Sequence, residues 1–331
     1  LSGDKPTLMN RRVRHIEVQR VNGSPASTEK DFLAVEEPLE IRVEGHSVAV
    51  VMRTPGEDRE LAAGFLLSEG LIRSKQDVTS IRYQPHCMRA VLSGPAPAKK
   101  PATSSTSRVN HRTSDPKLLS SGSEVLAEDG NVINVRLRSP DLLDFGRLTR
   151  HLFTSSSCGI CSKAAIEAVQ QQFGPIEGRI ELNPKVLLGL PDRLASVQET
   201  FQRTGGLHAS ALFDLSGNLC VVREDVGRHN ALDKVIGWAL LKGCLPLRQH
   251  ILLLSGRISF ELVQKALAAG IPIIAAISAP SSLAVEFAKQ SGQTLVGFLR
   301  GQRMNVYAGG ERLQPQRTQP RSLTTKNSQS T

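Results

Sequence analysis

The chain has 331 residues, 40% of them apolar and 22% charged, proportions that allow a buried core and exclude a collagenous or wholly disordered protein. One Trp and two Tyr exclude a base-stacking platform as the mode of action. The net charge of +10 is large enough for a nucleic-acid footprint, but residues 1–14 carry +3, 94–123 carry +4 and 312–331 carry +4, which leaves the rest of the chain at −1.

In chain order, residues 39–43 and 46–53 alternate apolar and polar side chains around Glu44-Gly45, a hairpin signal. Thr54-Pro55-Gly56-Glu57 predicts a capping box with Pro at the first helical position. The helix it opens carries Leu61, Ala62, Phe65 and Leu66 on one face and stops near Gly70. Strands are predicted at 78–83 and 90–92. Residues 94–123, rich in Pro, Ser, Thr and Lys, read as a disordered insertion that is dispensable for folding. The sheet pattern resumes at 131–137, and a helix is predicted over 141–153. Residues 16–153 thus make a smaller, β-rich α+β portion.

Residues 154–312 alternate helix and strand. The predicted elements are a helix over 162–173, a hairpin of 207–214 and 219–223 around Ser216-Gly217-Asn218, and a helix over 230–241. A strand at 251–254, a helix at 260–269, a strand at 271–277, a helix at 281–290 and a strand at 294–298 complete it. Continuous apolar strands between amphipathic helices predict a layered α/β core with a buried, largely parallel sheet. Residues 313–331 read as a disordered tail. The basic excess lies in the segments at 1–14, 94–123 and 312–331, so solvated tails are expected and no nucleic-acid partner. The apolar runs are of strand length, short of a membrane span, and residues 1–14 lead into no apolar signal segment. A cytoplasmic protein without membrane association is expected.

Of the five cysteines, Cys87, Cys158, Cys161, Cys220 and Cys244, only Cys158 and Cys161 are close in sequence. An odd count without a secretion signal argues against a disulfide framework. The segment FTSSSCGICSKAAIE places this CxxC in small, mobile surroundings just before a predicted helix. A thiol at a helix N-terminus can fall from a pKa of about 8.5 into roughly the 3.5–7.5 range, and the thiolate is the nucleophile. Three readings compete: a zinc site, a redox pair and a sulfur-carrying loop that holds a persulfide. Zinc needs about four ligands, and no second CxxC or HxxxH completes such a set, so no metal is expected.

A second constellation comprises Thr204-Gly205-Gly206-Leu207-His208 before a strand and Glu224-Asp225-Val226-Gly227-Arg228-His229-Asn230 between a strand and a helix. Arg228, His229 and the backbone N–H groups there form a natural anion site. A lone histidine at such a joint is usually structural; two histidines, an arginine and an acidic pair favour a polar functional cleft. A third set lies at later strand ends: Ser255-Gly256-Arg257, residues 278–282, and Arg300-Gly301-Gln302-Arg303. Ligands of open α/β sheets bind beyond the carboxyl ends of parallel strands, where Gly and Ser leave room for a phosphate and arginines neutralise it. Ordinary turns account equally well for residues 278–282. Neither GxGxxG nor GxxxxGK[ST] is present.

The ordered motifs SCGIC, TGGLHASALFD, REDVGRHNALDKVIG, LLSGRISFELVQKA, AISAPSSLAVEFA and VGFLRGQRMNVYAG closely resemble those of the formate dehydrogenase accessory sulfurtransferases (FdhD). The N-terminal RTPGEDRELAAGFLLSEGLI is similar to that family as well. The resemblance covers about residues 16–93 and 124–312; the 94–123 insertion and the basic tail depart from it. It implies a cytidine-deaminase-like α/β core without deaminase chemistry, since the CxxC precedes both His208 and His229 and no HxE exists.

The resemblance further implies a sulfur carrier. Sulfur would come from a cysteine desulfurase as a persulfide on Cys158, with Cys161 as its partner. It would pass to the molybdenum of a bis(molybdopterin guanine dinucleotide) cofactor, bound as cargo and destined for formate dehydrogenase. The cofactor-binding segment then corresponds to Phe298, Leu299, Arg300, Gly301, Gln302 and Arg303, and Arg257, Arg228 and His229 are expected to support it. A homodimer is expected on the same grounds. The rival from another class is a nucleotide-binding redox sensor that switches through a CxxC disulfide.

Overall fold

A computed structural model describes residues 11–21, 27–84, 130–140, 172–178 and 180–314. The described residues form a mixed α/β protein with three sheets. Strands β1 (Val13–Arg20) and β2 (Ser27–Ala34) pair antiparallel as a separate ribbon. Strands β3 (Glu37–Val43), β4 (His46–Arg53), β5 (Val78–Tyr83) and β6 (Val132–Leu137) form a four-stranded sheet in the order β4-β3-β6-β5. Its hairpin turns at Glu44-Gly45, both at positive φ (50° and 83°), the backbone that a two-residue turn demands. Alternation buries Leu39, Ile41, Val43, Ile133 and Val135 on one face. Against that face lies helix α1 (Asp58–Ser68).

The second half builds a six-stranded sheet in the order β12-β11-β10-β9-β7-β8. Its strands are β7 (His208–Asp214), β8 (Leu219–Asp225), β9 (His250–Leu254), β10 (Ile273–Ala276), β11 (Thr294–Arg300) and β12 (Arg303–Ala308). Short helices α2 (Pro184–Leu188), α3 (Leu190–Val197) and α4 (Glu199–Thr204) precede β7. Helices α5 (Arg228–Lys242), α6 (Phe260–Ala268) and α7 (Ser282–Gln290) alternate with the later strands. One face of the sheet packs under α5, α6 and α7 in the apolar cluster that also holds α1 and the small sheet. The other face, with Ala211, Phe213, Leu253 and Ile273, packs on Leu187, Leu190 and Leu194 of α2 and α3. Helix α1 is buried almost all round because it lies between the small sheet and α5.

Three expectations change. The sheet is parallel only across β9, β10 and β11; β7, β8 and β12 run antiparallel to their neighbours. The hairpin around Ser216-Gly217-Asn218 already implies the antiparallel β7–β8 pair, but an apolar strand pattern reveals neither the tight β11–β12 hairpin nor the antiparallel pairing of β7 with β9. Thr54 does not cap α1. The cap position is Glu57, at φ 52° and without a side-chain cap bond, because tertiary partners engage the hydroxyl and backbone of Thr54 instead. The ribbon β1–β2, helices α2–α4 and strand β12 had no counterpart in the sequence reading. The strand at 90–92, the insertion at 94–123, the helix at 141–153, most of the helix at 162–173 and the tail from 315 lie outside the described residues.

Candidate functional site at one edge of the large sheet

Strand direction decides which loops meet. The carboxyl ends of β9, β10 and β11 share one edge, since the three are parallel. Antiparallel pairing sets Ser210 opposite Leu254 and His208 opposite Asp225, which brings the start of β7 and the end of β8 to that same edge. The loops are stitched together there. Ile258 N donates to the Ala279 carbonyl at 3.1 Å, and Ser281 N to the Ile258 carbonyl at 2.9 Å. Phe298 N donates to the Ser278 carbonyl at 3.0 Å, and Arg300 Nε to the Ile277 carbonyl at 2.9 Å.

The joint between β8 and α5 divides its residues between structure and surface. The Glu224 carboxylate accepts from the backbone N–H groups of Thr200 (3.0 Å) and Phe201 (2.8 Å), satisfying orphan donors at the start of α4. Asp225 is fully buried. It accepts from Thr54 N, Gly227 N and Asn230 Nδ2 and pairs with Lys234. The acidic pair is therefore consumed by the fold. Arg228 remains: its Nε is buried and has no hydrogen-bond partner among the described residues, a donor that favours an incoming anion.

His208 is half-buried beside this arginine. Burial is the largest influence holding its imidazole below the ordinary 6.5, followed by the nearby positive charges of Arg228, Arg257 and His229. Gly256 allows this packing, since a Cβ there would stand 3.0 Å from His208 Nδ1. His229 turns to α6 instead: its Nε2 lies 2.8 Å from the Glu261 carboxylate and 3.2 Å from Ser259 Oγ. That hydrogen bond holds the Glu261 carboxyl below the usual range. The edge thus gathers Arg228, Arg257, His208 and His229 into one electropositive surface.

Phe298, Leu299, Arg300, Gly301, Gln302 and Arg303 form the bulged tip of the β11–β12 hairpin. Phe298 is at φ 52° and exposed, Leu299 is buried, and Gly301 turns at φ 54°. Arg300 and Arg303 are opposite each other in the ladder, and like charges so placed repel unless an anion lies between them. Cys158 and Cys161 lie outside the described residues. Among the described residues, no three His, Cys, Asp or Glu side chains are grouped to hold a metal ion. No described helix is long and apolar enough to cross a membrane.

A cleft of about 680 Å³ lies elsewhere, lined by Arg11, Glu37, Arg53, Asp58 and Tyr83 among others. There Arg53 forks onto Asp58 at 2.9 and 3.0 Å, and Tyr83 donates to the same carboxylate, so this arginine is already paired. The sheet edge, with its unpaired donor, is the better anion site. Sequence reasoning missed Ser259 and Glu261 as its members; the one signal available was an acid in the first turn of the helix after Ser255-Gly256-Arg257.

The family model described as FdhD/NarQ family matches residues 34–314. The chain is 46% identical over 308 residues to the Sulfur carrier protein FdhD of Streptomyces avermitilis, covering 92% of this chain and 97% of that one. It is 46% identical over 310 residues to the protein of the same name from Mycobacterium tuberculosis, covering 92% and 98%. It is 38% identical over 308 residues to that from Saccharolobus solfataricus, covering 92% and 100%. A crystal structure of a putative formate dehydrogenase accessory protein from Desulfotalea psychrophila shares the fold, with a TM-score of 0.64 at 23% identity over 91% of this chain and 99% of the other. The chain belongs to the FdhD/NarQ family.

Proposed function

We propose that this protein is a sulfur carrier that loads Cys158 with a persulfide and delivers its sulfur to the molybdenum of a bis(molybdopterin guanine dinucleotide) cofactor destined for a formate dehydrogenase. The thiolate of Cys158 attacks the terminal sulfur of a cysteine desulfurase persulfide. A new S–S bond forms at Cys158 while the donor's S–S bond breaks, and the desulfurase cysteine leaves as a thiolate, so no external oxidant is needed. Cys161 is its partner thiol. The observation that carries this reading is the electropositive sheet edge, where Arg228, Arg257, Arg300 and Arg303 suit the diphosphates of such a cargo. The buried, unpaired Nε of Arg228 supports the fit. The relatives' name supports the sulfur chemistry.

A cytidine-deaminase-like core belongs to the same reading, supported by the order β8-β7-β9-β10-β11 with antiparallel strands on one side only of that five-strand set. So do a cytoplasmic location and a homodimer, the latter checked by sedimentation. Intact-mass analysis after incubation with a desulfurase and cysteine tests the function. The wild type should gain sulfur and Cys158→Ala should not. A reversible Cys158–Cys161 disulfide with no persulfide would favour the redox-sensor reading.

A further inference from the structure

The acids of the sheet edge are committed to other partners. Glu224 serves the start of α4, Asp225 pairs with Lys234, and Glu261 lies against His229. The cations beside them are not. Next to the unpaired Arg228 Nε, the 15-residue helix α5 starts from Gly227, which offers no side-chain cap, and its first turn holds no acid. Its opening N–H groups therefore have no side-chain acceptor. Ser210 stands on the same face of β7 as His208, since one residue separates them. It is 1% exposed, and its hydroxyl has no hydrogen-bond partner among the described residues. On the other side of His208, Ser255 fixes the loop after β9: its N–H donates to the Ala209 carbonyl at 3.0 Å and its hydroxyl accepts from Ala209 N at 2.9 Å. Arg257, in that loop, joins Arg228 as a positive neighbour of the imidazole.

This pocket is separate from the β11–β12 hairpin. In the order β11-β10-β9-β7, the strand ends that carry His208 and the hairpin stand three strand spacings apart, about 14 Å. The phosphorus atoms of a diphosphate share one bridging oxygen and do not span that gap. Arg300 does not close it, because its Nε is tied to the Ile277 carbonyl just past β10. We propose that the edge holds two anion subsites, and that Arg228, Arg257 and His208, with the N-terminus of α5, form one that takes a phosphoryl oxyanion separately from the diphosphate held at Arg300 and Arg303. This deepens the sulfur-carrier reading, on which the hairpin's ligand is a guanine diphosphate of the cargo. The inner subsite recognises phosphoryl oxygens, free or esterified, and makes no demand for a base.

The test titrates inorganic phosphate into full-length protein carrying one equivalent of GDP, followed by calorimetry and ³¹P NMR. Phosphate should bind alongside GDP, one ion per chain. Arg228→Ala should weaken phosphate binding about tenfold or more and leave GDP affinity unchanged, and Arg303→Ala should do the reverse. Arg228→Lys, which keeps the charge without the guanidinium fork, should recover part of the loss. Competition by dimethyl diphosphate assigns the subsite to an esterified group of the cargo, and its failure to compete assigns the subsite to the free ion. Displacement of phosphate by GDP mole for mole, or loss of both ligands in Arg303→Ala, overturns the proposal and leaves a single site. If phosphate binds at Arg228 but GDP binds nowhere, the cargo reading fails and the inner subsite stands; if GDP binds at the hairpin and phosphate does not bind, the subsite fails and the cargo reading stands.

Discussion

Lys234 and Asp225 form an ion pair, Nζ to Oδ2 2.7 Å, in which neither side chain reaches solvent. The pair sits where the small sheet meets the candidate site. Lys234 Nζ also donates to the Thr54 carbonyl at 2.9 Å, Thr54 N donates to Asp225 at 3.2 Å, and Val226 N donates to Thr54 Oγ1. The chain leaving β4 is thereby bonded to the turn that presents Arg228 and His229.

Removing one partner leaves the other charge buried and unpaired, which typically costs about 3–5 kcal/mol. Lys234→Met should lower the urea unfolding free energy by about that amount. Asp225→Asn should also destabilise. A loss below about 1 kcal/mol in both variants would mean that water reaches the pair.

Helices α1 and α5 cross at Gly64 and Gly237. A Cβ on Gly64 would overlap the carbonyl of Asp233, and one on Gly237 would overlap the carbonyl of Glu60. Neither obstacle is a flexible side chain, so the helices must move apart. Gly64→Ala and Gly237→Ala should each cost on the order of 1–3 kcal/mol or more in denaturant melts. Gly189→Ala, at φ −87° with only the Val186 carbonyl in ordinary contact, 3.8 Å from where a Cβ would stand, should be neutral or stabilising by up to about 1 kcal/mol.

His208 has a folded-state pKa below its ordinary 6.5, so the unfolded chain binds this proton more tightly. Its stabilising contribution is fully present above pH 6.5 and is lost as pH falls through the folded value. Wild-type stability should therefore drop more steeply than that of His208→Asn on acidification below pH 6.5. Phosphate, by screening Arg228 and Arg257, should soften the drop. Parallel pH profiles for the two proteins would remove this role.

The two arginines of the β11–β12 hairpin should behave differently. Arg300 already donates to the Ile277 carbonyl, so Arg300→Ala should both weaken GDP binding and speed amide exchange in the hairpin. Arg303→Ala should weaken GDP binding by about tenfold or more, from a charge-assisted contact of roughly 1.5–3 kcal/mol, and leave exchange unchanged. Calorimetry and hydrogen exchange separate the two. Unchanged GDP affinity in both variants would move the diphosphate site away from the hairpin.

The parts of the fold legible in the sequence are those where burial writes a pattern. HILLL of β9 and IIAA of β10 are apolar because both faces of the strand are covered. The Glu44-Gly45 turn was legible because its backbone favours Gly. The ribbon β1–β2 was not: VRHIEVQR is mostly exposed, so no apolar period marks it. Strand β12, RMNVYA, is equally exposed and is held by its pairing with β11.

By itself, the sequence determined which elements form a buried core and singled out motifs suited to chemistry, because apolar periodicity and motif spacing are local properties of a chain. The tertiary structure decided how those motifs are used. It reversed β7 and β12 relative to the other strands and so brought five loops to one edge. It drew Glu224, Asp225 and Thr54 into backbone support and left the Arg228 donor without a partner. It set Glu261 against His229 across 32 residues of chain. Hydrogen bonds and ion pairs depend on distances of about 3 Å between side chains, and only strand direction and helix packing fix those distances.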